Sequence, residues 1–227
     1  MNIVYATSRG LAPHLEAPIK SLLEHNKDIM LYILTEEDTL PFEIPCKHKI
    51  INISNQQYFR HNGPNMRSFF TYIPMIRVCL PDLLKCNKVI CLDVDTIICD
   101  SLKPIWDIDL TGKWMAWCPE HLGNYRPFGK TYYNIGVVVY NLAQMRKDKA
   151  TDLAVSLLND HHYLYLDQDV MNQIAVPDKC TDIPVRYNEC FCCGYTDDPA
   201  IVHYAGIPDW TTNWTAFRRE YLERYLR

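Results

Sequence analysis

The 227 residues carry 23 Lys and Arg against 27 Asp and Glu, a formal net charge of −4. A mildly acidic chain has no general attraction for nucleic-acid phosphates, so a nucleic-acid partner is not expected. No linker-like stretch, charge run or repeat divides the sequence, which predicts one α/β domain over 1–227.

The chain enters an apolar strand pattern at residues 3–6, with no basic n-region and no long apolar stretch ahead of it. Reduced thiols and a cytoplasmic location are therefore expected. Residues 13–26 read as a helix with Leu15, Ile19, Leu22 and Leu23 on one face. Strands are predicted at 30–34 and 49–53, followed by a polar loop over 52–65. Residues 68–84 are helix-like and hold Arg77 in apolar company, while Pro74 and Pro81 should break or kink the helix. An apolar run over 88–92 ends in Asp93-Val94-Asp95, and a second run over 96–99 follows at once. Asn134 and Gly136 stand just ahead of a strand at 137–140. Ala150, Leu153, Ala154, Leu157 and Leu158 mark another helix. Asp167, Gln168 and Asp169 lie between hydrophobic residues, where an acidic side chain such as Asp169 can cap a helix start. A last strand ends at His203 before a glycine turn at Gly206. Strands alternating with helices imply a mostly parallel sheet covered on both faces, with ligands bound beyond the carboxyl ends of the strands. Asp93 and Asp95 fall there.

Carboxylates at i and i+2 among core-like residues need a partner for their charge. Two readings stand: the pair holds a hard divalent ion whose open positions bind a phosphate-bearing substrate, or it faces water and caps the next turn. Of the ten cysteines, Cys79, Cys86, Cys91 and Cys99 read as small core side chains. Cys190, Cys192 and Cys193, with Cys180 upstream, lack the paired C-x-x-C spacing of zinc sites.

Taken in order, Arg77 on its helix, Leu92-Asp-Val-Asp95, Asn134-Ile-Gly-Val137 with Tyr140-Asn-Leu142, Asp167-Gln-Asp169, and His203-Tyr-Ala-Gly206 with Trp210 form a pattern. It resembles the retaining glycosyltransferases of family eight, which include glycogenin, plant galactinol synthases and bacterial lipopolysaccharide galactosyl- and glucosyltransferases. The resemblance runs from Asn2 to about Trp210 and implies a GT-A-type, Rossmann-like α/β fold, a mixed sheet flanked by helices. It further implies transfer of galactose or glucose from a nucleotide-diphosphate sugar, usually UDP-linked, to a saccharide, lipid-linked saccharide or protein acceptor. Manganese is the implied cofactor, with magnesium as an alternative, held by Asp93, Asp95 and His203. Oxygen ligands with one imidazole suit such an ion. Arg77, Asp93, Asn134, Gly136, Asp167 and Gln168 would hold the donor sugar, with Gln168 and Asp167 nearest the chemistry. Ala6, Thr7, Ser8, Val94 and Gly206 would contact the nucleotide.

Two departures accompany the resemblance. Relatives follow the first strand with an Asp and a uracil-stacking aromatic, whereas Thr7-Ser8-Arg9-Gly10-Leu11 has neither and leaves Ser8 to meet the base edge. Relatives also carry a Lys between the glycine turn and the Trp, where this chain has Asp209; either an arginine such as Arg218 or Arg219 substitutes, or diphosphate binding is weaker. The tail, about 211–227, reads as a helix. Its arginines allow weak peripheral membrane contact, but Glu220 and Glu223 interrupt the basic face and favour packing of Trp214, Phe217 and Tyr221 onto the domain. A nucleotidyl- or phosphoryl-transfer enzyme would need a phosphate-cradling Gly-rich loop, absent among the eight glycines. A sugar-binding module with little or no catalysis is the remaining class.

Overall fold

The first apolar run forms β1 (Asn2–Ala6) inside a seven-stranded sheet, in a computed structural model that describes residues 1–66, 71–121, 125–207 and 217–226. A 3₁₀ turn (Ala12–Leu15) leads into α1 (Glu16–His25), whose Ala17, Ile19 and Leu22 are buried. Strands β2 (Met30–Thr35) and β3 (His48–Asn52) follow as predicted. The helix expected over 68–84 differs. A 3₁₀ helix (Pro74–Cys79) passes into the single turn α2 (Leu80–Leu83), because the two prolines lack the N–H that a continuous i→i−4 ladder needs. Residues 67–70 lie outside the described part.

The chain continues through β4 (Lys88–Leu92), β5 (Thr96–Ile98), α3 (Lys103–Trp106), β6 (Met115–Pro119) and β7 (Tyr133–Asn141). Then come α4 (Leu142–Lys147), α5 (Ala150–Asp160), α6 (Leu166–Ala175), β8 (Cys180–Asp182), β9 (Ile201–His203) and α7 (Arg219–Leu222). Asn134 and Gly136 are thus part of β7, not a lead-in to it. β6 escaped the sequence reading because Met-Ala-Trp-Cys-Pro is apolar throughout, without β-branched residues or alternation.

The sheet order is β3-β2-β1-β4-β7-β6-β8, and every pair is parallel except the two made by β7. The strands read as continuous apolar runs because both faces are covered. Along β4, Val89 and Cys91 join a core with α4, α5 and α6, while Ile90 and Leu92 join the core that includes Ile19 and Leu22 of α1. Each such Leu, Ile or Val contributes about 1.5–3 kcal/mol by leaving water. On α5, Ala150, Ala154 and Leu158 are buried, whereas Leu153 faces outward. Cys79 and Cys91 are core residues; Cys86 and Cys99 are half-buried.

A separate two-stranded ribbon pairs β5 with β9, Thr96 opposite His203. The tail docks on its outer side: Leu222 and Tyr225 pack with Ala17, Ile97 and Val202, and the Tyr225 hydroxyl donates to Glu24 Oε2 at 2.9 Å. Among the described residues the predicted C-terminal helix is the single turn α7, with Phe217 and Tyr221 packed against this cluster; Trp210, Trp214 and the rest of 208–216, with Arg227, lie outside the described part. Arg218 pairs with Glu189, Arg219 with Glu223 and Arg224 with Glu24, so these three cations already have carboxylate partners. No helix among the described residues is long and apolar enough to cross a membrane.

Candidate active site at the carboxyl ends of β1 and β4

The chain leaves β1 toward β2 on one side, while β4 pairs on the other, a switch point that opens a crevice beyond the strand ends. The register Tyr5↔Leu92 sets Ala6, Thr7 and Ser8 beside Asp93 and Val94. Thr7 is buried and its N–H donates to the Leu34 carbonyl at 2.9 Å; the Ser8 carbonyl accepts from Leu11 and Ala12 N–H at 3.1 and 3.0 Å.

Asp93 and Asp95 occupy the turn between β4 and β5. Thr96 Oγ1 donates to the Asp93 carbonyl at 2.8 Å and Tyr204 N–H to the Asp95 carbonyl at 2.9 Å, which fixes both backbones. The β5–β9 register then delivers His203 to the same place. Its Nε2 lies 3.3 Å from Asp95 Oδ1 and 3.7 Å from Asp93 Oδ2. His203 Nδ1 bonds Asn188 Oδ1 at 2.7 Å; with that proton on Nδ1, a cation that displaces the proton from Nε2 would meet its lone pair beside the carboxylates. Burial opposes a charge on the imidazole, but Asp95 outweighs it and holds the His203 pKa well above the usual range. Two carboxylate oxygens and one imidazole nitrogen within 4.8 Å of one another are the donor set for a hard or borderline divalent cation such as Mn(II) or Mg(II). Asp93 and Asp95 are the partly exposed members, so the cleft reaches the group from their side.

Gly136 explains itself sterically. A Cβ there would stand 2.1 Å from His203 Cε1, so the imidazole lies directly over the glycine. The β6–β7 ladder is broken at this point: Trp117 pairs with Val138 but Cys118 with Asn134, leaving Ile135, Gly136 and Val137 unpaired on the β6 side. Bulges of this kind re-aim side chains beside functional sites.

Arg77, buried, is a hub. Its Nε and Nη2 donate to Asp167 Oδ2 and Oδ1 at 2.7 and 3.1 Å, and its Nη1 bonds Asp93 Oδ1. A fork-to-fork pair of this kind is strong and directional. Burial pushes the Asp167 carboxyl up to about 6, with Arg77 pulling the other way. Both oxygens of Asp167 are occupied and the residue is 1% exposed, so it braces Arg77 and, through it, Asp93. Gln168, half-exposed, donates from Nε2 to Glu120 Oε1 at 3.2 Å and accepts at Oε1 from Ile135 N–H at 3.1 Å. Asp169 caps α6 as expected, accepting Tyr165 N–H at 2.8 Å and the Tyr132 hydroxyl at 2.6 Å.

Asn134 is enclosed: Oδ1 accepts from Gly136 N–H and from Asn188 Nδ2, each at 2.9 Å, and Nδ2 donates to Glu120 Oε1 at 3.4 Å. The sequence reading missed Asn188, Glu120 and Glu189. Asn188 sets the imidazole, and Glu120, whose carboxyl is raised by burial, ties Asn134 to Gln168. Glu189, fully buried, takes Arg218 through both oxygens, at 2.9 and 2.6 Å. That commitment overturns the expectation that Arg218 replaces the missing lysine. Gly206 adopts φ +73°, the left-handed region that favours glycine.

Lining Pro119, Glu120, Arg126, Lys130, Tyr133 and Asp182, a cavity of about 570 Å³ opens beside Gln168's partner Glu120.

Known proteins are similar in sequence and fold. The chain is 25% identical over 197 residues to a putative glycosyltransferase of Haemophilus influenzae, a match covering 77% of this chain and 59% of that protein. It therefore spans less than two thirds of that relative. Over 249 residues it is 24% identical to lipopolysaccharide glucosyltransferase WaaO of Escherichia coli, covering 91% of this chain and 71% of that one. Its fold is similar to that of the galactosyltransferase LgtC in complex with donor and acceptor sugar analogues, with a TM-score of 0.76 at 21% identity over 100% of this chain and 95% of that one. The mixed sheet flanked by helices is accordingly of the GT-A type. The family described as glycosyl transferase family 8 matches residues 2–210, and with that match over nearly its whole length the chain belongs to this family.

Proposed function

We propose that this protein transfers a hexose, galactose or glucose, from a UDP-linked sugar to a saccharide or protein acceptor with retention of anomeric configuration, using manganese. The observation that carries the reading is the convergence of Asp93, Asp95 and His203, remote in sequence, on one spot beyond the ends of β1 and β4. When bound there, a divalent cation supplies Lewis-acid stabilisation of the departing diphosphate.

The protein's own side chains do the rest. Asn188 presents the His203 lone pair, and Arg77 with Asp167 holds Asp93 in place. Ala6, Thr7, Ser8, Val94 and Gly206 border the nucleotide. Gln168 is the residue next to the anomeric carbon, its amide held by Ile135 and Glu120 so that it meets the sugar without reorganising. Asn134 and Gly136 shape this wall from behind. The chamber beside Glu120 receives the acceptor.

The test is transfer and donor hydrolysis by chelator-stripped protein, with and without Mn²⁺, across a panel of nucleotide sugars. Product is expected with Mn²⁺ and a UDP-hexose, of unchanged anomeric configuration by NMR, and Asp95→Asn should lower turnover at least about a hundredfold. Consumption of a nucleoside triphosphate, or donor binding with neither transfer nor hydrolysis, would count against it.

A further inference from the structure

Behind the imidazole lies a second group of ligating atoms with opposite chemical taste. Cys190, Cys192 and Cys193 are all buried, and their three sulfurs lie within 4.8 Å of one another. The loop that carries them is closed by backbone bonds: Gly194 N–H donates to the Cys190 carbonyl at 2.9 Å and His121 N–H to the Cys192 carbonyl at 3.0 Å. Gly194, at φ +122°, makes the reversal that lets neighbours in sequence turn their sulfurs inward. Cys180, which the sequence placed near them, stands apart on β8 with its thiol on the Pro177 carbonyl.

Polar groups around the sulfurs are arranged as donors. Asn134 Nδ2 points to Cys192 Sγ and Asn188 Nδ2 to Cys193 Sγ, each at 3.6 Å. N–H groups aimed at sulfur stabilise thiolates and orient them toward a cation, as outer-shell partners do in thiolate metal sites. A buried thiol trio packed for volume alone has no use for two amide donors.

We propose that Cys190, Cys192 and Cys193 form a binding site for one thiophilic cation of the zinc class, separate from the carboxylate–imidazole group. Soft sulfur ligands select such ions, whereas the two aspartates favour harder ones. Sulfurs at about 2.3 Å from a common tetrahedral ion stand about 3.8 Å apart. Cys190 Sγ and Cys192 Sγ, now 3.2 Å apart, need to open by about half an ångström, within reach of side-chain rotation. The site shares a wall with the first, because Asn188 serves both, its Oδ1 on His203 Nδ1 and its Nδ2 on Cys193 Sγ. An ion on the sulfurs would brace the loop that positions Asn188 and hence the imidazole.

Cadmium is the probe. Titrating reduced, metal-stripped protein with Cd²⁺ should raise the ultraviolet thiolate-to-cadmium charge-transfer absorption, saturating at about one equivalent. The band should persist in Asp95→Asn and in Cys180→Ser, and Cd²⁺ affinity should fall at least about tenfold in Cys192→Ser and in Cys193→Ser. Should those variants fold poorly, alkylation of the wild-type chain in moderate denaturant, where the buried thiols open transiently, decides: one equivalent of Zn²⁺ should slow labelling of Cys190, Cys192 and Cys193 while leaving that of Cys46 unchanged. No charge-transfer band, a band unchanged in both Cys variants, a band lost in Asp95→Asn, or equal alkylation with and without Zn²⁺ would overturn the proposal. So would a loss of labelling at Cys190 and Cys192 that a reductant reverses, which marks a disulfide and not a bound ion.

Discussion

Replacing Arg77 with Ala is expected to destabilise the fold by about 3–5 kcal/mol, a fall in Tm of roughly 6–20 °C for a domain of this size. The guanidinium is buried and satisfies Asp167 through both oxygens and Asp93 through one. Its loss leaves a carboxylate at 1% exposure without a counter-ion. The effect has a pH signature. Asp167 already sits at about 6 in the folded state, above its unfolded value. Without Arg77 its folded pKa rises further, so the folded variant binds a proton that the unfolded chain has released. Stability contributed by the protonated group is present at low pH and lost as pH rises through the folded value, so the penalty should be smaller near about pH 5 than near about pH 8. Chemical denaturation of both proteins at the two pH values measures it. A penalty that does not grow with pH would mean that Asp167 is not the group left uncompensated.

Gly136→Ala tests the site itself. The added methyl would meet the His203 ring at 2.1 Å, and the ring is held on its other side by Asn188. Overpacking of this kind costs about 1–3 kcal/mol, which the chain survives by tipping the imidazole off the glycine. Nε2 then leaves the two carboxylates. Manganese affinity should fall roughly 10- to 100-fold while the variant stays folded, read by calorimetric titration beside near-ultraviolet circular dichroism. Unchanged affinity in a folded variant would show that His203 is not a ligand.

Much of this was legible in the sequence, for identifiable reasons. Asp93 and Asp95 interrupt a continuous apolar run, and charges in core-like surroundings announce a function. β1, β2, β4 and the buried face of α1 were read from periodicity, because helix and strand burial follow fixed periods. What stayed hidden is tertiary. Arg77 and Asp167 are 90 residues apart, and nothing near either in sequence foretold that they pair with one another. Asn188 and Glu120 belong to no local pattern; the sheet and the β5–β9 ribbon bring them to His203 and Gln168. The cysteines argued against a metal because Cys190-Phe-Cys-Cys193 has no second C-x-x-C to pair with, whereas a tight loop lets Cys190, Cys192 and Cys193 converge without one. Arg218 was misjudged for the same reason, since nothing near it in sequence foretold the buried Glu189.

The central claim is that three side chains distant along the chain chelate one divalent cation. Anomalous diffraction from crystals soaked in Mn²⁺ with UDP tests it most directly. The account predicts a single manganese peak within bonding distance of Asp93, Asp95 and His203 Nε2, in contact with the diphosphate. A peak elsewhere, or an imidazole turned away from both aspartates in the soaked crystal, would contradict it.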